Sequence, residues 1–147
     1  MTRTLGPLPA GSSLQQLRVI EAMHPGVIAC PLDTPLRTVA RMMATYRVHA
    51  VVVVGHGEDG LPEGLWGVVS DLDLVGVAQA TDFDELTAGG LAATPALTIA
   101  TTDPFAHAVQ MMVENEVSHL IVVEPRSRRP IGVVSTHDVA RALAGVA

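Results

Sequence analysis

Short apolar runs alternate with helical patterns along this chain. Four runs are apolar at almost every position; they lie at Ala50–Val54, Leu65–Val69, Leu120–Val123 and Ile131–Val134. Such runs are typical of strands that are covered on both faces. Two other segments, which open at Pro35 and Pro104, carry apolar residues at helical spacing, and proline is favoured in the first turn of a helix. The pattern predicts an α/β fold with small sheets packed against helices.

The chain also repeats itself. Residues 35–43 and 104–112 share a proline and two methionines at an offset of 69, and residues 47–54 match 116–123 at the same offset. Further along, Gly67–Asp73 matches Gly132–Asp138 at an offset of 65, because the first loop is longer. An internal repeat of this kind predicts one structural unit that is present twice.

Each copy predicts the element order βαββα after a lead-in helix. The lead-in helices are expected near Leu14–Ala22 and Asp84–Ala92, the first strands near Val27–Ala29 and Ala96–Ile99, and the turns between the long strands at Gly55–Gly60 and Pro125–Pro130. Glycine and proline clusters of this kind mark turns. The last helix of each copy is expected to begin at Ser70 or Ser135.

A Gly-apolar-apolar-Ser-x-x-Asp pattern ends a predicted strand and opens the last helix in both copies. Backbone N–H groups at a helix N-terminus, together with a serine hydroxyl, suit a phosphate. An ionised aspartate only accepts hydrogen bonds, so Asp73 and Asp138 can each hold the two hydroxyls of a ribose. The same spacing is close to that of a capping box, in which the acidic side chain satisfies the N-cap amide. The motif alone leaves both interpretations open.

The duplicated layout resembles a CBS (cystathionine β-synthase) domain pair, or Bateman module. The resemblance rests on the lead Met23–Pro25, the segment Arg47–Val54 and the Gly-Val-Val-Ser-x-x-Asp pattern, and it covers about residues 13–145. It implies two βαββα repeats related by a pseudo-two-fold axis, with a flexible lead at 1–12, one repeat at 13–80 and the other at 81–147. CBS pairs commonly bind AMP, ADP, ATP or related adenosyl compounds in two clefts, form disc-like dimers, and regulate rather than catalyse.

The resemblance implies that each cleft is built from both repeats. Ser135 and Asp138 would share one cleft with His24, Ile28, His49 and Ala50. Ser70 and Asp73 would share the other with Thr94, Leu97, Ser118 and His119. Many family members have a proline where the second strand begins, whereas this chain has Ala50–Val51 and His119–Leu120, so the cleft walls depart from the family pattern.

Charge predicts that the two motif copies differ in their affinity for phosphate. Asp71 places a carboxylate in the first turn of the first copy, where it competes with a phosphate for the positive end of the helix. The second copy has Thr136 and His137 there, and a histidine can become a cation near a bound phosphate. We therefore expect the copy with Ser135 and Asp138 to be the better phosphate site.

Composition argues against several other classes of protein. The net charge of −6, the absence of lysine and the aromatic content of 3% disfavour nucleic acid as a partner. No apolar run approaches the roughly 20 residues of a membrane span, and the single cysteine, Cys30, suits a reducing cytoplasm. The six histidines lack metal-ligand spacing, and neither a nucleophile elbow nor a phosphate-binding glycine loop occurs, so neither an enzyme nor a required cofactor is expected.

Two functions stay open. The first is a non-catalytic regulatory sensor, with an adenosine nucleotide such as AMP, ADP or ATP as its ligand. The alternative is a protein-interaction or dimerisation module with empty or vestigial clefts. We expect a homodimer, because apolar helices such as Val139–Val146 offer faces that one chain does not bury.

Overall fold

The computed structural model describes residues 14–55 and 64–145. The predicted lead at 1–12, most of the predicted turn at 55–60 and the last residue of the predicted helix 139–146 lie outside the described residues. Within these ranges the strands are β1 His24–Pro25, β2 Ala29–Pro31, β3 Ala50–Val54, β4 Leu65–Ser70, β5 Thr98–Ala100, β6 His119–Val123 and β7 Pro130–Ser135. The α-helices are α1 Val19–Ala22, α2 Leu36–Tyr46, α3 Asp71–Val77, α4 Ala88–Leu91, α5 Phe105–Asn115 and α6 Thr136–Leu143, with a 3₁₀ turn at Phe83–Glu85. Residues 14–16 are also helical.

The described strands form two small sheets with the same internal pairing. One sheet has the strand order β2-β3-β4 and the other β1-β7-β6-β5. In both, the first strand of a repeat pairs in parallel with the second, and the second pairs antiparallel with the third. This shared pairing confirms the predicted duplication and the α/β class.

Each sheet belongs to a compact unit that contains the lead-in segment of the other repeat. Of the described residues, 27–55 and 64–97 belong to the central unit, and 14–26 and 98–145 belong to the terminal unit. In the terminal unit the amide of Phe105 donates to the carbonyl of Leu17 at 2.8 Å, and in the central unit the amide of Leu36 donates to Leu86 at 3.1 Å. Residues 36 and 105 are equivalent in the repeat, so the two lead-in segments join the long helices in the same way.

Fully buried aliphatic and aromatic side chains fill both units. The central core contains Leu36, Val39, Val51, Val53, Val69 and Ala88. In the terminal unit the largest fully buried side chains are Val19, Phe105, Leu120, Ile121, Val122 and Val123. Strands β3 and β6 therefore lie in the core along almost their whole length, as their pattern predicts, whereas β4 and β7 are only partly buried and Trp66 on β4 is 44% exposed. Among the described residues, no helix has both the length and the apolar character needed to cross a membrane.

The lead-in segments differ from the two continuous helices that the sequence predicts. The first is interrupted at Arg18, which is extended and bridges to Pro104, and the second is divided at Thr87, which bridges to Pro35. A residue must leave the helical conformation to form such a bridge, so each predicted helix divides into shorter pieces. The first strands also begin later than predicted, at Ala29 and Thr98.

The glycine of the repeated motif is required by close backbone packing. Strand β1, which the sequence did not predict, pairs antiparallel with β7 so that Pro25 lies opposite Gly132. A Cβ atom at Gly132 would lie 2.6 Å from the carbonyl oxygen of His24, and one at Gly67 would overlap the carbonyl oxygen of Ala93. Both glycines therefore allow a lead-in segment to lie against the last strand of the sheet.

We expect Gly67→Ala and Gly132→Ala each to lower the free energy of unfolding by about 1–3 kcal/mol, because an added methyl group overpacks a backbone contact. Gly76→Ala is the matched control. Gly76 lies in α3, and a Cβ atom added there would have nothing within 4 Å, so alanine should stabilise the helix by about 0.5–1 kcal/mol. Urea denaturation of the three variants measures these changes. Equal effects at all three positions would contradict the packing role.

Candidate functional site

The Ser-x-x-Asp motifs lie where the last strand of each sheet passes into a helix. In the central unit, the amide of Ser70 donates to Asp73 Oδ2 at 2.8 Å, and the amide of Asp73 donates to Ser70 Oγ at 3.2 Å. In the terminal unit, the amide of Ser135 donates to Asp138 Oδ2 at 2.8 Å, and its hydroxyl donates to the same oxygen at 3.2 Å. Both aspartates therefore cap their helices, as the capping interpretation predicts.

Asp138 makes a further contact that its counterpart lacks. Its Oδ1 lies 2.7 Å from Nδ1 of His24 on β1, and the Asp138 side chain is 1% exposed whereas that of His24 is 54% exposed. The buried carboxylate thus has one oxygen bonded to Ser135 and the other to His24. A buried charge needs such partners, because burial without them is costly.

Asp73 is less buried and keeps one oxygen open. Within the described part of the chain, Asp73 Oδ2 is bonded to Ser70, and its Oδ1 has no partner. The residue that corresponds to His24 in the repeat is Thr94, which carries no ionisable group. The two carboxylates therefore have the same capping role and a different capacity for further hydrogen bonds.

The first turns of α3 and α6 differ in their backbone amides. Asp71 Oδ1 accepts a hydrogen bond from the amide of Leu72 at 2.8 Å, and Asp71 Oδ2 lies 2.8 Å from Nδ1 of His49. The equivalent of Leu72 is His137, whose amide has no partner among the described residues, because Thr136 replaces Asp71. The N-terminus of α6 therefore retains a free donor where the same donor of α3 is occupied.

The first residues of these helices are held by matching backbone hydrogen bonds. The amide of Asp71 donates to the carbonyl of His49 at 2.9 Å, and that of Thr136 donates to Ser118 at 3.1 Å. In the strand registers Ala50 lies opposite Ser70, and His119 lies opposite Ser135. The side chain of Ser118 also contacts Nδ1 of His119 at 2.8 Å.

The predicted site residues fall into two groups. The central unit contains Ile28, His49, Ala50, Ser70, Asp73, Thr94 and Leu97, and the terminal unit contains His24, Ser118, His119, Ser135, His137 and Asp138. The structure thus brings His24 to Ser135 and Asp138, within one unit. The predicted sharing of Ile28, His49 and Ala50 with Asp138, and of Ser118 and His119 with Asp73, stays a prediction.

Sequence reasoning missed the direct contact between His24 and Asp138. Its signal was present in the aligned leads, where Met23-His24-Pro25 stands over Ala93-Thr94-Pro95. A histidine at this position in only one repeat marks a difference between the two motifs.

Neither a metal cluster nor a reactive thiol is present among the described residues. No group of three or more His, Cys, Asp or Glu side chains is placed to hold a metal ion there; His56 lies outside the described residues. Cys30 is buried, and burial raises the pKa of its thiol, although a hydrogen bond with Thr34 opposes this effect. The thiolate, which is the nucleophilic form, is therefore disfavoured at neutral pH.

The CBS domain family profile matches residues 19–79 and 88–145, and no curated protein matches the chain. A CBS domain protein from Pyrobaculum aerophilum complexed with AMP is 27% identical, with 88% of this chain and 99% of that chain covered and a TM-score of 0.72. The CBS domain pair of protein MJ0100, in complex with 5′-methylthioadenosine and S-adenosyl-L-methionine, is 19% identical over 88% of this chain and 97% of that chain, with a TM-score of 0.73. The CBS domain of a bacterial CNNM/CorC family Mg²⁺ transporter in complex with ATP is also 19% identical, over 92% and 93% of the chains, with a TM-score of 0.74.

The matched segments coincide with the two halves of the internal repeat, and the shared strand pairing is present in both. The predicted resemblance is therefore confirmed: the chain belongs to the CBS domain family and carries two CBS repeats.

Proposed function

We propose that this chain is a non-catalytic regulatory module that binds an adenosine nucleotide or a related adenosyl compound. The observation that carries the proposal is the open Oδ1 of Asp73, on a carboxylate whose other oxygen is fixed at 2.8 Å by the amide of Ser70. An ionised carboxylate held in this way is a good acceptor for the neighbouring hydroxyls of a ribose. The AMP complex of the 27% identical relative supports adenosine as the ligand class.

A phosphate is better accommodated in the terminal unit. The amide of His137 is free among the described residues, and α6 has a neutral hydroxyl at Thr136 where α3 has the carboxylate of Asp71. A free amide and the positive end of a helix both favour an anion. These features support our expectation that Ser135 and Asp138 belong to the better phosphate site, and that Ser70 and Asp73 suit a less charged adenosyl group.

The alternative, an interaction or dimerisation module, is favoured by a separate observation. A groove of about 230 Å³ in the terminal unit is lined by Val109, Met112, Val113, Val117, Thr136 and Val139. Val113 and Leu143 are also well exposed. Exposed apolar surface of this kind marks protein contacts, and we propose a homodimer on this basis. A cytoplasmic location likewise remains a proposal from composition.

Thermal unfolding with and without ligand tests the proposed function. AMP, ATP and adenosine are each added at millimolar concentration, with GMP as the matched control. A ligand at a hundredfold excess over Kd stabilises the folded state by about 2.7 kcal/mol, which corresponds to a rise in Tm of about 5–10 °C for a chain of this size. Unchanged Tm with all three adenosine compounds, together with a dimer by light scattering, would favour the alternative.

A further inference from the structure

The carboxylate of Asp138 is already occupied in the terminal unit. Its Oδ2 accepts two hydrogen bonds from Ser135, and its Oδ1 lies 2.7 Å from Nδ1 of His24. The hydrogen bond from the Ser135 amide caps the N-terminus of α6. The imidazole of His24 is half exposed, so it is the partner that can leave when a ligand hydroxyl arrives.

Other ionisable groups lie on the elements that pack near this pair. On the elements of the terminal unit that pack around β1, β7 and α6, they are Glu21 on α1, His119 on β6, and His137 and Arg141 on α6. The carboxylate of Glu21 accepts a hydrogen bond from the amide of Arg18 at 2.8 Å. His119 contacts Ser118 and lies opposite Ser135 in the strand register. Neither of these contacts replaces the one between His24 and Asp138.

We propose, on the basis of the proposed function, that ligand binding at Asp138 depends on the protonation state of His24. A protonated imidazole forms a charge-assisted hydrogen bond with the carboxylate, and such bonds are about twice as strong as neutral ones. A ribose hydroxyl is a neutral donor and competes poorly with it. A neutral imidazole competes less strongly for the carboxylate, so affinity for an adenosyl ligand rises as the pH is raised.

Asp73 provides the contrast within the same chain. Thr94 stands where His24 stands in the other repeat, and the Oδ1 of Asp73 has no partner among the described residues. Ligand binding at Asp73 is therefore independent of this protonation. Asp73 therefore keeps its ligand when the pH falls, whereas Asp138 releases its ligand.

Calorimetric titration with adenosine tests the inference, because adenosine lacks a phosphate whose own charge changes with pH. The full chain carries Asp73→Asn, which keeps an oxygen for the Ser70 amide and leaves Asp138 as the charged acceptor. One linked proton predicts that affinity falls about tenfold between pH 8 and pH 5.5. The same chain with His24→Gln, or with His24→Asn as a second variant, should bind adenosine equally at both pH values.

His107→Gln is the matched control, because His107 is an exposed histidine on α5 in the same unit, outside the site; it should keep the tenfold change. Two results would overturn the inference. One is equal affinity at both pH values in the Asp73→Asn chain with its native His24, and the other is a tenfold change that persists in both His24 variants. If wild-type protein still binds AMP in either case, the inference fails and the proposed function is retained. Absence of adenosine and AMP binding at every pH would overturn both.

Discussion

Replacing Phe105 by alanine is expected to lower the free energy of unfolding by about 3–5 kcal/mol. Phe105 is fully buried and begins α5, where its amide donates to the carbonyl of Leu17. Removal of the ring leaves a cavity at the point where the lead-in segment joins the second repeat. The loss combines the transfer free energy of the ring with the cost of that cavity.

Two variants show whether this effect comes from burial at the repeat position. Leu36 is the equivalent residue in the central unit and is also fully buried, so Leu36→Ala should cost about 2–5 kcal/mol. Val75 on α3 is 71% exposed and does not line the proposed dimer groove, so Val75→Ala should change stability by no more than about 0.5 kcal/mol. Guanidinium denaturation measures all three. A similar change in Val75→Ala and Phe105→Ala would show that the core assignment is wrong.

The sheets could be predicted from the sequence because their strands are apolar on both faces. Strand β3 has the predicted bounds, and β4, β6 and β7 differ from prediction by one residue at one end or at both. The repeat predicted the same element order in both halves, and the structure shows that equivalent strands also pair in equivalent ways. The local pattern was sufficient to predict a strand wherever the residues are apolar at almost every position.

The lead-in segments could not be predicted in the same way. Their helical pattern is genuine, yet Arg18 and Thr87 are extended so that each can bridge to a proline that lies far away in sequence. Such a bridge is a tertiary requirement, and tertiary context overrides helix propensity. The close approach at Gly132 follows from the same packing, so the glycine of the repeated motif has a structural cause that neither the binding nor the capping interpretation predicted.

The capping role of the Ser-x-x-Asp motif could be predicted from the sequence, and both aspartates make the expected hydrogen bond to the serine amide. Their role in ligand binding stays a prediction, because a cap and a binding site share the same local geometry at a helix start. The contact between His24 and Asp138 depends on the pairing of β1 with β7. A strand of two residues has no local sequence pattern from which this pairing could be predicted. Local spacing therefore identified the acceptor without identifying its partner.

Asp138→Ala is expected to weaken nucleotide binding by about 1.5–3 kcal/mol, which is the range for hydrogen bonds to charged groups. The same change removes the acceptor of the Ser135 amide, the Ser135 hydroxyl and the His24 imidazole. Loss of the helix cap should also lower the free energy of unfolding by about 0.5–2 kcal/mol. Affinity for AMP by calorimetry and stability by urea denaturation are measured on the same protein, at a temperature where both forms are folded.

Asp138→Asn separates the two roles of this side chain. Asparagine keeps one oxygen for the amide of Ser135, so most of the capping free energy is retained, whereas a ribose hydroxyl loses its charged acceptor. Asp84→Ala is the surface control, since Asp84 is exposed and pairs with Arg37, and an exposed pair contributes at most about 1 kcal/mol. Weaker AMP binding in both Asp138 variants with near-normal stability in Asp138→Asn supports a ligand-binding carboxylate. If AMP binds both variants as well as the wild type while Asp138→Ala is less stable, Asp138 is a helix cap alone and the proposed ribose contact is wrong.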